Sequence, residues 1–361
     1  MKKKTVTVTL TLPDGSRKFY RGSTKKEAEA KRDKDKVAMG HGIDICDDST
    51  FQQIGDQWYQ LFKVDKLHVR SLETIEGTLR RYVYPKLGNR KVKDIRPADI
   101  AALMKSVSSM SKSTQRKVLQ ATKAICRFAV DNDLILKSPV LSSIKAGGAD
   151  PEEVKALTDE QCRRLLDAIS GTRASLFVKL LLYTGLRKGE ALGLMWKDID
   201  FDRCSLAVNR SIVYPVSNKA GEINTDLKTE NAHRVIPITP DLLEALRAEK
   251  EKSKSVYVFS MQNGKFLSES SFRRMWDLIK YRSSCTSSEN TKLQRTIDFD
   301  VHPHQLRHTC ITKWIEHGMG PEEAQYLAGH ATPDITMNIY MHYRKEQRFA
   351  ATAAKMAAIS Y

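Results

Sequence analysis

Two short breaks interrupt the apolar patterning of this chain, and they limit it to separate folded units rather than one continuous core. Gly147-Gly148-Ala149-Asp150 is the clearer break, because it has no large side chain and follows a long helical pattern. The polar, acidic stretch 46–50 is the other. In 361 residues they leave three segments, 1–45, 51–145 and 150–361, which suits a chain of two or three domains.

In the first segment, Lys4 to Leu12 alternates, with Val6, Val8, Leu10 and Leu12 on one face and threonines on the other. That is the period of a half-buried strand. Pro13-Asp14-Gly15-Ser16 supplies a turn, and Arg17 to Gly22 returns as a second strand. Thr24 with Glu27 reads as a capping box that opens a helix to about Met39. Residues 2 to 36 hold twelve Lys or Arg against five Asp or Glu. A small basic sheet backed by one helix is either a reader of a DNA groove, through Lys4, Arg17, Lys18 and Arg21, or a solvated charged face.

The second segment reads as a helical bundle. Ile54, Trp58 and Leu61 recur at helical spacing, as do Leu72, Ile75, Leu79 and Tyr82, with Pro85 expected to end the latter helix. Pro97 opens a third helix to Met104, and Ser111 to Asp131 forms a fourth. On the fourth, Leu119, Ile125 and Phe128 point inward, while Lys112, Arg116 and Lys117 point outward as candidate phosphate contacts.

The third segment opens with a helix from Thr158 and an apolar helix from Phe177 to Tyr183, ending near Gly185. Ser205–Val213 and His233–Ile238 are β-rich and predict a small antiparallel sheet. From Asp241 the pattern is again mainly helical, broken by the polar run 283–290, which is expected to be a loop. The fold class is therefore mainly α with small β-sheets (α+β).

Composition narrows the partner. The net charge is +17, and so large an excess points to a polyanion, nucleic acid first, because neutralising phosphates releases counterions. No basic helix has the wide apolar face of a membrane-surface binder, and no apolar run is long enough to span a bilayer. Cys46, Cys126, Cys162, Cys204, Cys285 and Cys310 form no C-x-x-C pair, which argues against structural zinc and fits a reducing compartment.

Three clusters in the last segment carry chemistry. Thr184-Gly-Leu-Arg187-Lys-Gly-Glu190 places an arginine after a glycine turn with apolar flanks. Its fork suits a phosphate or carboxylate ligand, or an ion pair with Glu190. His304-Gln-Leu-Arg307-His308 puts His304 and Arg307 on one helix face. A metal reading fails there, for want of a third ligand and because an arginine repels a dication. Gly329-His330 is followed by Tyr340 in Asn-Ile-Tyr340-Met-His-Tyr343.

Taken together, T-G-L-R-K-G-E-A-L-G-L, H-Q-L-R-H-T and L-A-G-H followed by Tyr resemble the catalytic signature of the tyrosine recombinase family, in its order and spacing over about residues 150 to 345. Asp226-Leu-Lys228-Thr, followed by Arg234-Val-Ile-Pro, resembles the family's β-hairpin that supplies a catalytic lysine, with Lys219 a rival in the same region. The interval to Tyr340 is one residue longer than the family's usual and contains Pro333, and Tyr343 is a rival nucleophile. Segment 51–145 resembles the family's helical core-binding (SAM-like) domain. Segment 1–45 resembles the arm-binding domain of phage and conjugative-transposon integrases in pattern. Segment 150–361 corresponds to the mixed α/β catalytic domain with its C-terminal tail helix.

The resemblance implies a site-specific recombinase of a mobile element, acting on double-stranded DNA at core and arm attachment sites, in the bacterial cytoplasm. Tyr340 would form a 3′-phosphotyrosyl bond, with Arg187, Arg307, His304 and His330 stabilising the transition state and Lys228 protonating the leaving 5′-oxygen. No metal, ATP or other cofactor is implied. A homotetramer would pass through a Holliday junction, with an excision factor and a host DNA-bending protein as further partners. Type IB topoisomerases, chromosome-dimer resolvases and non-catalytic regulators on the same fold are the competing readings. The Ala-rich stretch Phe349 to Ile359 is expected to dock on a neighbouring subunit. Deleting residues 346–361 should weaken tetramer assembly more than single-site DNA binding. Synaptic complexes formed at normal yield by the truncated chain would contradict this.

Overall fold

A computed structural model describes residues 5–149, 154–216, 220–225, 233–283, 297–330, 332–333, 336–337, 339–341 and 349. The chain divides into two compact units, 1–152 and 153–361.

The first unit begins with the antiparallel hairpin β1 (Val6–Thr11) and β2 (Arg17–Gly22), followed by α1 (Lys25–Gly40). Gly15 makes the turn at φ 82°, while Asp14 accepts from the Ser16 amide and hydroxyl. Thr24 caps α1 by accepting from the Glu27 amide, but the Glu27 carboxylate takes the amide and hydroxyl of Ser23, one residue before the cap. The acidic stretch that follows is tied down: Asp48 pairs with Lys91 and Lys93, and Thr50 caps the next helix.

That helix, α2 (Phe51–Phe62), packs with α3 (Val69–Thr78), α4 (Tyr84–Leu87), α5 (Pro97–Ser106) and α6 (Lys112–Asp131) around Phe51, Ile54, Leu103, Val118 and Ile125. Pro85 does not end the helix. A π turn over Leu79–Val83 widens the backbone first, and Pro85 sits in the first turn of α4, where its missing N–H costs nothing.

The second unit contains α7 (Asp159–Ala168), α8 (Arg173–Thr184) and α9 (Lys188–Gly193), then a three-stranded antiparallel sheet in the order β3 (Ile199–Asp200), β4 (Ser205–Val208), β7 (Arg234–Pro237). A separate hairpin pairs β5 (Ser211–Val213) with β6 (Glu222–Asn224). The β-rich stretch Ser205–Val213 is divided into β4 and β5 where Asn209 and Arg210 turn their side chains onto buried Asp198. Helices α10 (Pro240–Lys252), α11 (Glu269–Ser283), α12 (Pro303–Glu316) and α13 (Pro321–Ala328) complete the unit. Phe177 on α8 anchors the core, edge-on to Phe259, Phe272 and Trp276. The expected loop at 283–290 lies, beyond Ser283, outside the described residues, as does the tail 350–361. Among the described residues no helix is long and apolar enough to cross a membrane.

Candidate active site

The site is built where α8 ends. Gly185 closes that helix at φ 62°, and a Cβ there would lie 3.0 Å from the Trp314 ring, so only glycine fits the turn without strain. The reversal delivers Arg187 in extended conformation as the N-cap of α9. Glu190, three residues on and 4% exposed, accepts from the Arg187 amide (2.9 Å) and from Arg187 Nη1 (2.8 Å). The ion pair thus forms, yet the Arg187 side chain stays 43% exposed.

Helix α12 supplies the opposite wall. His302 caps it by accepting the Gln305 amide at 3.0 Å, and Pro303 occupies its first turn. One helical turn places His304 beside Arg307, whose guanidinium is buried. Arg307 donates Nη1 to the Gly185 carbonyl (2.5 Å) and Nη2 to the Ala328 carbonyl (2.6 Å).

Three successive carbonyls at the C-terminus of α13 each accept from a different arginine. Arg234 Nε reaches Leu327 (2.7 Å), Arg307 reaches Ala328, and Arg187 Nη2 reaches Gly329 (2.6 Å). A helix C-terminus has unsatisfied carbonyls and partial negative charge, and guanidinium groups meet both needs. Gly329 then turns the chain at φ 63°, and His330 enters the interior, its Nδ1 2.7 Å from the Thr336 hydroxyl. Tyr340 lies in the following helical turn, half-buried, with its ring against the Ile311, Ile315, Ala324 and Ala328 cluster of α12 and α13.

The electrostatics are those of a site waiting for an anion. Burial pushes the His330 imidazole down to about 4, with Arg307, Arg187 and Arg234 acting in the same direction. Burial, then Arg307, His302 and Arg187, lower His304 as well. Burial takes Arg307 down to about 9, which leaves it charged at neutral pH. For Glu190, burial raises the carboxyl but Arg234 and Arg187 outweigh it, so it is held ionised below the usual range. Two guanidinium groups, Arg187 and Arg234, thus hold one carboxylate, with Arg307 on the neighbouring carbonyls, beside two neutral imidazoles able to donate or accept a proton.

Of the other sequence-derived candidates, Lys4, Lys219, Lys228 and Tyr343 lie outside the described residues. Arg17 and Arg21 are exposed on β2, while Lys18 turns inward to Asp35 (3.1 Å) and the Ile45 carbonyl (2.9 Å). On α6, Arg116 and Lys117 are exposed and Lys112 is half-buried. Among the described residues no group of three His, Cys, Asp or Glu could hold a metal ion. Sequence reasoning missed Arg234 as a member of the site. The available signal was strand alternation, which puts Arg234 on the inward face with Ile236 and leaves Val235 outside.

Because the native state resists a proton on His330 that the unfolded chain accepts near pH 6.5, the stability His330 contributes is present above that pH and lost as pH falls towards 4. Relative to His330→Asn, the wild-type unfolding free energy should fall by on the order of 3 kcal/mol over that interval, read from denaturant curves. Parallel pH profiles for the two proteins would refute the assignment.

Comparison with known proteins identifies the family. The pattern of the phage integrase family matches residues 155–347, and that of the phage integrase central domain matches residues 51–143. A protein named tyrosine recombinase XerC-like, from Caldanaerobacter subterraneus subsp. tengcongensis, is 28% identical over 92% of this chain and 89% of its own length. The fold is similar to that of the Tn1549 transposon integrase, solved with a circular intermediate DNA (TM-score 0.67, 23% identity, covering 83% of this chain and 99% of that one). It is also similar to that of lambda integrase, solved as a tetramer bound to a Holliday junction (TM-score 0.58, 16% identity, 92% and 91% covered). The family pattern spans more than half of the sequence, and this chain belongs to the phage integrase family, the tyrosine recombinases.

Proposed function

We propose that this protein is a site-specific DNA recombinase that integrates and excises a mobile element, with Tyr340 as its nucleophile. The observation that carries the reading is the convergence of Arg187, Arg307, His304 and His330 on the end of α13, with Tyr340 packed on the same pair of helices.

The Tyr340 oxygen attacks the phosphorus of a DNA phosphodiester. A 3′-phosphotyrosyl bond forms as the bond to the 5′-oxygen breaks. Negative charge grows on the non-bridging oxygens of the transition state, and Arg187 and Arg307 are the fixed positive groups for it. The neutral imidazoles of His304 and His330 hydrogen-bond the phosphate and can take the tyrosine proton. Lys228 gives a proton to the departing 5′-oxygen. A 5′-hydroxyl from the partner duplex then attacks the phosphotyrosine and restores the phosphodiester, so the bond energy is conserved and no nucleotide is consumed. Two such rounds pass through a Holliday junction within a homotetramer, two protomers per duplex.

Core-site DNA is contacted by the domain 51–145, through the exposed Arg116 and Lys117 and through Lys112, and by the catalytic domain 150–361. Arm sites are read by the domain 1–45. There Thr7, Thr9 and Thr11 on β1 lie across from Arg21, Phe19 and Arg17 on β2, all on the exposed face. An excision factor and a host DNA-bending protein complete the expected assembly.

Trapping on a nicked suicide substrate carrying the element's end tests this. Wild type and Tyr343→Phe should form a denaturant-stable protein–DNA adduct, and Tyr340→Phe should form none. If no variant forms an adduct on DNA it demonstrably binds, the protein is a non-catalytic DNA-binding regulator instead.

A further inference from the structure

The proposed chemistry does not use Arg234, yet this residue is a fully buried charge at the site. Its side chain is 0% exposed. Period-two alternation in β7 forces it inward, so it has no surface to offer DNA. Its donors include bonds to Leu327 O (2.7 Å), Glu190 Oε2 (2.8 Å) and Glu190 Oε1 (3.3 Å). The same two carboxylate oxygens also accept the amide and Nη1 of Arg187.

A buried ion pair of this kind is poor evidence for a stability role, since a well-packed apolar pair of similar size is often as stable. Its retention points instead to an arrangement that needs the charges. With Arg187 as its only partner, the Glu190 carboxylate would cancel the charge that Arg187 presents to a phosphate. A second guanidinium offsets that charge and leaves Glu190 free to orient Arg187. Arg234 also fixes Leu327, two residues before Gly329, whose carbonyl Arg187 holds, and three before His330.

We propose that Arg234 is a positioning residue for strand cleavage: by neutralising Glu190 and pinning the last turn of α13, it keeps Arg187 charged towards the phosphate and His330 in place. The proposal rests on the reading that Arg187 and His330 serve the scissile phosphate.

Single-turnover adduct formation on the suicide duplex should fall about 100-fold in Arg234→Leu, the scale of a small misplacement of reacting groups. Affinity for the same duplex should be unchanged, because Arg234 reaches no DNA. Arg234→Lys, which keeps the charge, should recover part of the rate. The His330 imidazole, followed by NMR, should titrate higher in Arg234→Leu, because a positive neighbour and the helix clamp are both gone. If Arg234→Leu does not fold, Glu190→Leu/Arg234→Leu removes both buried charges, and should fold and bind DNA but remain slow. A folded variant that cuts at the wild-type rate overturns the proposal. So does a loss of rate and affinity in equal proportion with the His330 titration unmoved. Absence of an adduct with wild type would instead refute cleavage through Tyr340, and the His330 titration would still decide the role of Arg234.

Discussion

The C-terminus of α13 is the joint on which the second unit depends. The successive carbonyls of Leu327, Ala328 and the capping Gly329 accept from Arg234, Arg307 and Arg187, which come from a strand, a helix interior and a helix cap far apart in sequence. Each contact joins a guanidinium to the negative end of a helix, an interaction strengthened by burial. The joint therefore fixes α9, α12, α13 and β7 relative to one another. It also concentrates positive charge at one point of the unit.

That concentration needs compensation, and the surrounding elements provide it unevenly. Glu190 supplies one carboxylate for three arginines, and the two imidazoles are kept neutral by burial and by those same arginines. The result is a concentration of positive charge rather than a neutral network. For the phosphoryl transfer proposed above, donors fixed in this way would need little reorganisation as charge develops. The cost of burying Arg307 is offset by the carbonyls of Gly185 and Ala328, so the residue that carries charge also staples α8 to α13. Structural and electrostatic roles reside in the same side chains here.

The parts of the fold that were legible in the sequence are those whose causes are local. The β1–β2 hairpin follows from alternation and a glycine turn, and the starts of α1, α6 and α7 follow from Thr24, Ser111 and Thr158. The two readings of Arg187, anion ligand and ion pair with Glu190, turned out to be compatible, because the carboxylate orients the arginine without burying it. What escaped has non-local causes. Arg234 finds its partners 44 and 93 residues away, beyond any spacing rule. The break between β4 and β5 depends on Asp198, which draws in Asn209 and Arg210. Pro85 alone points to a helix end, because the π turn that accommodates it has no sequence signature as plain as the proline itself.

As proposed above, the cluster at the α13 terminus is a phosphate site held ready by its arginines. The most direct test is an NMR titration of the His304 and His330 imidazoles with and without vanadate, a phosphate mimic, with assignments from single-histidine variants. An anion bound among Arg187, Arg307 and the two imidazoles favours their protonated forms. Saturable binding that moves both titrations to higher pH, and is lost in Arg187→Ala, is the predicted result. Titrations that vanadate leaves unchanged would contradict the account.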